Sequence, residues 1–248
     1  MHISLMYDTT DFAVFEKPAG LPSAPLNKKD TKNTAVTQIC ETYPEVLCVS
    51  GKKKVEYGLI HRIDTNTRGL LLVAKNQKAF DYFQKEQKAG RFIKTYAAFC
   101  YDTSQHLTAP FVLKSRFRPF GPGRRMVSPV NKYDGRAAQK KAGNKTYTTE
   151  VLHITPVKAN TGSFKIVRVD CKIDEGFRHQ VRAHLSWTGL PIIGDRLYGI
   201  KSDQHIPMQF FANGLQFYPL PNTENENKLI KIMLPNLSFS EEFFSPQK

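Results

Sequence analysis

Strand candidates outnumber helix candidates along this sequence of 248 residues, which agrees with an α+β fold. Residues 167–173 alternate between apolar and charged side chains, as expected of a half-buried strand. Residues 70–74 form a short apolar run without glycine or proline, which indicates a buried strand, although a buried helix has the same pattern. The length is sufficient to bury a sizeable core, in one large domain or in two closely joined subdomains.

The other elements are predicted from helix caps, apolar spacing and turn residues. Asn33 or Thr34 is expected to cap the first helix, and Asn76 the second. The predicted helices are 35–43, 77–88, one that begins within 175–185, and a short terminal helix capped by Ser240. The remaining predicted strands are 11–16, 91–100, 147–154, 209–217 and 229–234.

A dense polar run, HRIDTNTR at 61–68, directly precedes Gly69 and the apolar run. Charged groups beside a core strand are costly unless they are paired or face a cleft. Asp64, which lies between Arg62 and Arg68, is therefore the candidate chemical centre. The alternative is a polar loop in which these arginines and Asp64 merely pair with each other.

The net charge of +14 points to a polyanionic partner, with nucleic acid first, unless the protein is basic only for solubility. Segment 114–145 concentrates this charge, with ten Lys and Arg residues against the single acid Asp134. Glycines divide the segment into predicted loops, and Phe117, Phe120 and Tyr133 are interleaved with the charges. Cationic loops with aromatic rings suit phosphate neutralisation and base stacking, so nucleic-acid contact is favoured over an inert loop.

Several functional classes lack their sequence motifs. The four cysteines include no CxxC pair, which fits reduced thiols in the cytoplasm. No signal peptide is indicated, and no apolar run approaches the roughly 20 residues that cross a bilayer. P-loop, GxGxxG and GxSxG motifs are absent, and Asn66 replaces the second acid of an aspartyl-phosphate motif. His61, His179 and His184 lack the spacing and the accompanying carboxylates of a metal site.

After these exclusions the remaining candidate for chemistry is one isolated carboxylate, Asp64, which is surrounded by basic residues. Such a group can act as a nucleophile or base if it stays ionised, and an arginine within about 4–6 Å lowers its pKa by around 1–3 units. Because the motif holds no second acid, two-carboxylate glycosidase chemistry is disfavoured for Asp64.

Five short motifs in a fixed order carry a family resemblance. They are KPAGL at 17–21, HRIDxxTxG at 61–69, KTY at 94–96, GFRHQVR at 176–182 and PxxGDxxYG at 191–199. With these motifs the chain resembles the pseudouridine synthases of the RluA type, which modify tRNA and ribosomal RNA. The resemblance runs over about 7–217, and the number and order of the motifs make it more specific than any one pattern.

The resemblance implies an α+β fold with a long, mixed, mainly antiparallel central sheet, flanked by helices and loops, and a catalytic cleft across its middle. Asp64 would be the catalytic aspartate that attacks the target uridine, so that the base is detached and reattached through carbon. Arg62 would help to push the uridine out of the RNA and would occupy its place. Tyr96, which strand context alone assigns to packing, would pack against the flipped base, and Arg182 would pair with Asp64 and keep it ionised.

The implied partner is RNA, either tRNA or rRNA, with no metal, no organic cofactor and no membrane, and a cytoplasmic monomer is expected. The other residues expected to contact RNA are Lys17, His61, Arg68, Arg124, Arg125, Lys140, Lys141, Arg178 and His179. From another functional class, the alternative hypothesis is a non-catalytic RNA-binding or RNA-chaperone protein on the same fold.

The sequence departs from the family pattern at three points. Phe177 replaces the Arg of GRxHQxR, with Arg178 one place later, which puts any contact by that arginine in doubt. Arg68 replaces the usual Ser and adds charge near the site. A single catalytic domain over 1–248 is expected, without the small S4-like N-terminal domain of several relatives.

Overall fold

Strands dominate the computed structural model, which describes residues 1–30, 32–104, 107–158, 165–203, 205–221, 228–235 and 237–239. The strands are β1 Ser4–Asp8, β2 Phe12–Lys17, β3 Arg68–Ala74, β4 Ile93–Asp102, β5 Phe111–Phe120, β6 Met126–Val130, β7 Tyr147–Val157, β8 Lys165–Ile173, β9 Phe210–Phe217 and β10 Ile230–Met233. The α-helices are α1 Ala35–Thr42, α2 Gln77–Lys88, α3 Arg136–Lys141 and α4 Gln180–Trp187.

The strands form one mixed sheet in the order β1-β2-β3-β9-β4-β8-β7-β5-β6, with β10 paired to β9. The pair β3–β9 is parallel, whereas β1–β2, β2–β3, β9–β10, β5–β6, β5–β7 and β7–β8 are antiparallel. This arrangement confirms the predicted α+β fold with a long, mainly antiparallel sheet. The cleft across the middle of the sheet stays a prediction.

The first of two compact units comprises Met1–Thr95 and Phe211–Pro235. The fully buried strand residues 70–74 pair with β2 on one side, and Gly69 lies opposite Ala212 of β9 on the other. Helix α2 begins because the Asn76 side chain accepts the backbone N–H of Ala79, and it buries two phenylalanines in the core of this unit. Side chains of the helix and the backbone of Leu72 in the buried strand hydrogen-bond to the backbone of Ile60, the residue directly before the polar run.

The second unit comprises Tyr96–Phe210 together with the described residues 237–239. Its strands β7 and β8 form a long antiparallel ladder that β5 extends, and β5 also pairs with β6. Helix α4 is buried along most of its length, and the imidazole of His184 lies between the hydroxyl groups of Ser115 and Thr149, 2.8 Å from each. A polar network thus ties α4 to β5 and β7.

Two of the predicted elements differ from the structure. The predicted loops of 114–145 are wrong, because most of this segment forms β5, β6 and α3. Helix α4 begins only at Gln180, since His179 has a φ of 56°, a left-handed conformation that does not continue a helix. The predicted terminal helix at Ser240 lies outside the described residues.

The other predicted helices and strands are confirmed, with boundaries shifted by zero to three residues. Thr34, one of the two predicted candidates, caps α1. In the part of the chain that the structure describes, no helix combines the length and apolarity needed to cross a membrane.

Candidate active site

The backbone of the polar run is held by residues from the end of β2 and the turn that follows it. The Ser23 hydroxyl donates to the Ile63 carbonyl at 2.7 Å and accepts the Ile63 N–H at 3.2 Å. The Gly20 N–H donates to the Thr65 carbonyl at 2.8 Å, and the Thr67 N–H closes a turn onto the Asp64 carbonyl at 3.0 Å. Asp64 therefore occupies a fixed backbone position, with its side chain half-buried.

Lys17 is the central anchor of this loop. Its side chain is fully buried, and its ammonium group donates to the carbonyls of Pro18 at 2.8 Å, Leu21 at 2.7 Å and Thr65 at 3.0 Å. Burial lowers the pKa of Lys17 to about 8, and the negative charge of Asp64 opposes that decrease. The burial of Lys17 argues against the predicted RNA contact and favours a positioning role beside Asp64.

His61 also faces the protein interior. Its Nε2 accepts the Leu72 N–H of β3 at 3.3 Å, and its ring lies 5.5 Å from that of Phe92. Burial and then the charge of Lys94 lower the pKa of His61 to about 3, so the ring is neutral at physiological pH. These contacts indicate that His61 shapes the loop, and they argue against the predicted RNA contact.

The two arginines that flank Asp64 have different surroundings. Arg62 is exposed, and its Nη1 lies 3.0 Å from Oε1 of Glu56, a buried carboxylate that the sequence motifs did not identify. Arg68 projects from the start of β3 and forms an ion pair of 2.5 Å with Glu16 of β2. The cross-strand ion pair explains why a charge is tolerated at Arg68.

The second unit holds Arg182 in a prepared geometry. Its Nε and Nη2 each lie 2.7 Å from the Asp195 carboxylate, and both side chains are buried. Oδ1 of Asp195 also accepts the N–H groups of Leu197 and Tyr198, so the acid is itself fixed. The motif PxxGDxxYG pointed to this region, but the pairing of its Asp with Arg182 was not predicted.

Tyr198 of the same motif links β6 to the beginning of α4. Its hydroxyl accepts the Val127 N–H at 2.7 Å and lies 3.1 Å from Nδ1 of His179. The guanidinium carbon of Arg182 is 5.3 Å from the Tyr198 ring centroid, within the range of a cation–π contact. Tyr198 therefore contacts both Arg182 and His179, two residues that were predicted to be functional.

Tyr96 is buried within the second unit at 8% exposure. Its ring stacks on Phe210 of β9, with centroids 5.2 Å apart and planes 7° apart. The parallel contact fixes the plane of the Tyr96 ring.

The departure at Phe177 has a packing explanation. Its ring stacks on Phe117 of β5 at 5.0 Å and also contacts Tyr147 of β7. The guanidinium of Arg178 donates to the backbone carbonyls of Arg124 and Met126. Arg178 therefore supports the β5–β6 turn, while Phe177 extends the apolar cluster under it.

The four predicted RNA contacts of the basic segment are exposed: Arg124, Arg125, Lys140 and Lys141. Among the described residues, none of these four side chains forms an ion pair with an acid. The described chain contains no cluster of three or more His, Cys, Asp or Glu side chains suited to a metal ion.

Comparisons with known proteins bear on the family. The chain is 29% identical over 213 residues to an uncharacterized RNA pseudouridine synthase of Aquifex aeolicus (strain VF5), a match over 85% of this chain and 60% of that protein. It is 25% identical over 199 residues to ribosomal large subunit pseudouridine synthase D of Yersinia pestis, over 79% of this chain and 53% of that protein. The chain thus spans 53–60% of the length of these curated relatives.

Comparison with a solved structure supports the same fold for this chain. Human RNA Pseudouridylate Synthase Domain Containing 1 matches with a TM-score of 0.67 at 20% identity, over 95% of this chain and 84% of that one. The family model described as RNA pseudouridylate synthase matches residues 11–187, which include Asp64, Tyr96 and Arg182. Because that match covers most of the sequence, the chain belongs to the RNA pseudouridylate synthase family.

Proposed function

We propose that this chain converts uridine to pseudouridine in RNA. In this isomerisation the bond from C1′ to N1 of the base breaks and a bond from C1′ to C5 forms. The hydrogen of C5 leaves as a proton, and N1 gains a proton in its place. The relatives named ribosomal large subunit pseudouridine synthase D make ribosomal RNA the first substrate to test, with tRNA as the second.

Asp64 is the nucleophile in this proposal. A nucleophile must keep its position while the base detaches and reattaches, and the loop around Asp64 is held by Ser23, Gly20 and Lys17. The Asp64 carboxylate lies within electrostatic reach of the buried Lys17 ammonium group, because its negative charge raises the pKa of Lys17 against the effect of burial. This fixed half-buried carboxylate, within the stretch that the family model matches, is the observation that carries the proposal.

Tyr96 and Arg182 complete the chemistry. Tyr96 packs against the flipped base, a role supported by the fixed plane of its ring. In this proposal Arg182 pairs with the carboxylate of Asp64, and the bidentate contact of Arg182 with Asp195 fixes the guanidinium within its own unit. Asp195 is accordingly a positioning residue.

Arg62 takes the place of the flipped uridine in the RNA. Its side chain is exposed and reaches the surface from the same fixed loop as Asp64, with Glu56 as its partner in the free protein. Flipping a base costs a few kcal/mol, which contacts with the RNA must supply. We assign part of that energy to phosphate contacts by the exposed residues Arg124, Arg125, Lys140 and Lys141, and we propose a monomer acting in the cytoplasm.

The decisive experiment measures tritium release from RNA that carries 5-tritiated uridine. We expect release by the wild type and none above background by Asp64→Asn, which preserves the shape of the side chain but removes its charge. Asp81→Asn on α2 is the matched control, because its carboxylate accepts a hydrogen bond from Gln77 on the surface. If the wild type binds RNA but releases no tritium, the non-catalytic RNA-binding alternative replaces this proposal.

A further inference from the structure

The three aromatic residues of the basic segment have different environments. Phe117 is only 2% exposed and belongs to an apolar cluster. Phe120 is 45% exposed, and Tyr133 is 84% exposed, more than any other large hydrophobic side chain of the described residues. The exposed ring of Tyr133 therefore presents an apolar face to the solvent.

The backbone beneath the Tyr133 ring is fixed by a polar turn. The Tyr133 N–H donates to Oδ1 of Asn131 at 2.8 Å, and the Asn131 N–H donates to Oδ2 of Asp134 at 2.7 Å. Nε2 of Gln139 on α3 donates to the Asp134 carbonyl at 3.3 Å and also to the Asn131 carbonyl. The turn therefore presents the ring from a rigid base, which limits the entropy cost of binding a ligand.

The surroundings of the ring are strongly basic. Nζ of Lys132 lies 4.9 Å from the Tyr133 ring centroid, at cation–π distance. Residues 131–141 contain four basic side chains and the single acid Asp134, whose carboxylate already accepts the Asn131 N–H. A flat apolar face beside several cations matches a nucleotide, which offers a base to the ring and phosphates to the cations.

We propose that Tyr133 is a stacking platform for an unpaired base of the RNA, with the neighbouring phosphates bound by Lys140 and Lys141. The inference rests on the proposed function and narrows its substrate to RNA that contains single-stranded nucleotides. Bases within a duplex are already stacked on both faces, so only an unpaired base can place its face on Tyr133.

The test compares the affinity of the protein for a fluorescein-labelled single-stranded oligouridine and for an RNA duplex of the same length. Tyr133→Ala is expected to weaken single-strand binding about 5- to 150-fold, the range for removal of one base–aromatic stack. Duplex binding is expected to stay within about twofold, because no charge is removed. Tyr133→Trp should restore single-strand affinity, whereas Tyr133→Leu should remain as weak as Tyr133→Ala, since leucine is apolar but lacks a π face.

The salt dependence of binding separates the contribution of the Tyr133 ring from that of the basic side chains. In Tyr133→Ala the slope of log K against log salt is expected to equal that of the wild type. In the double variant Lys140→Ala/Lys141→Ala the slope for single strands is expected to fall by about 1.4, or about 0.7 for each phosphate that is no longer neutralised. Tyr218→Ala is the control, because that ring is 40% exposed in the other unit.

The stacking proposal would be overturned if Tyr133→Ala bound single strands with unchanged affinity, or if its affinity for the duplex decreased by the same factor as its affinity for single strands. Wild-type affinity in Tyr133→Leu would do the same, because it would indicate a general apolar contact. If tritium release still depends on Asp64 while the Tyr133 variants bind normally, the platform fails and the proposed function stands. A stacking effect without any tritium release would instead remove the proposed function.

Discussion

The replacement Lys17→Met separates a positioning role for this residue from a direct contact with RNA. The change keeps most of the side-chain volume but removes the donor that serves the carbonyls of Pro18, Leu21 and Thr65. The Thr65 carbonyl retains the Gly20 N–H, so within the described part of the chain the other two carbonyls, those of Pro18 and Leu21, lose their donor. At about 1–3 kcal/mol for each buried acceptor left unpaired, the destabilisation from these two groups is about 2–6 kcal/mol.

An opposing gain limits the effect on stability. Burial lowers the pKa of Lys17 from 10.5 to about 8, a difference that corresponds to a penalty on the order of 3 kcal/mol for the charged form. Removing the charge recovers that penalty, so the net effect ranges from a stabilisation of about 1 kcal/mol to a destabilisation of about 3 kcal/mol. At about 2–4 °C for each kcal/mol, Tm should fall by less than about 12 °C, and the variant should fold.

Catalysis should respond far more than stability. Displacement of a reacting group by about 1 Å can reduce the rate about 100-fold, so we expect kcat of Lys17→Met to fall by about that factor. The Kd for RNA should stay within about twofold, because Lys17 is fully buried. Single-turnover tritium release and fluorescence anisotropy measure the two quantities, and Lys78→Met on the exposed face of α2 is the control.

A direct RNA contact by Lys17 would give a different result. If Kd rises together with a decrease of about 0.7–0.9 in the slope of log K against log salt, Lys17 contacts a phosphate directly, and the positioning role is refuted. The same conclusion would follow if kcat stayed at the wild-type value while affinity fell.

Two further predictions concern the framework of the two units. Gly69→Ala would place a Cβ 2.4 Å from the Ala212 carbonyl oxygen, so we expect thermal unfolding to show a decrease of about 1–3 kcal/mol in stability. The control is Gly143→Ala, whose Cβ would lie 3.9 Å from the nearest atom and which should unfold like the wild type. Burial lowers the pKa of His184 to about 4 from 6.5, so the unfolded state binds more protons between these pH values, and stability should fall as pH decreases from about 6.5 to 4. In urea unfolding the wild type should lose on the order of 3 kcal/mol more than His184→Gln over that window, and equal decreases would contradict the assignment.

Most of the fold could be predicted because local signals and tertiary packing agree. Asn76 caps α2 as expected, and the apolar run 70–74 is a buried strand. The loop prediction for 114–145 was wrong because the charges concealed a period of two: Leu113, Ser115 and Phe117 are buried on β5, with basic side chains between them. The alternation between these residues and the basic side chains is itself the pattern of a half-buried strand, and it could have identified β5.

The candidate site could be predicted only in part. The motifs identified Asp64 and Arg182, but they did not reveal that Lys17 is buried beneath the Asp64 loop or that Arg182 pairs with Asp195. Such roles depend on contacts across 48 and 13 residues of sequence, which no local pattern encodes. The departure at Phe177 likewise became clear only with the rings that surround it.

The central claim is that Asp64 of this chain makes pseudouridine in RNA. The most direct measurement maps pseudouridines at nucleotide resolution in total RNA from cells that carry either the wild-type gene or Asp64→Asn, with equal protein levels in both. We predict that one or more uridines of ribosomal RNA or tRNA lose the modification in Asp64→Asn and regain it when the wild type is restored. Identical maps from the two cell lines would contradict the claim.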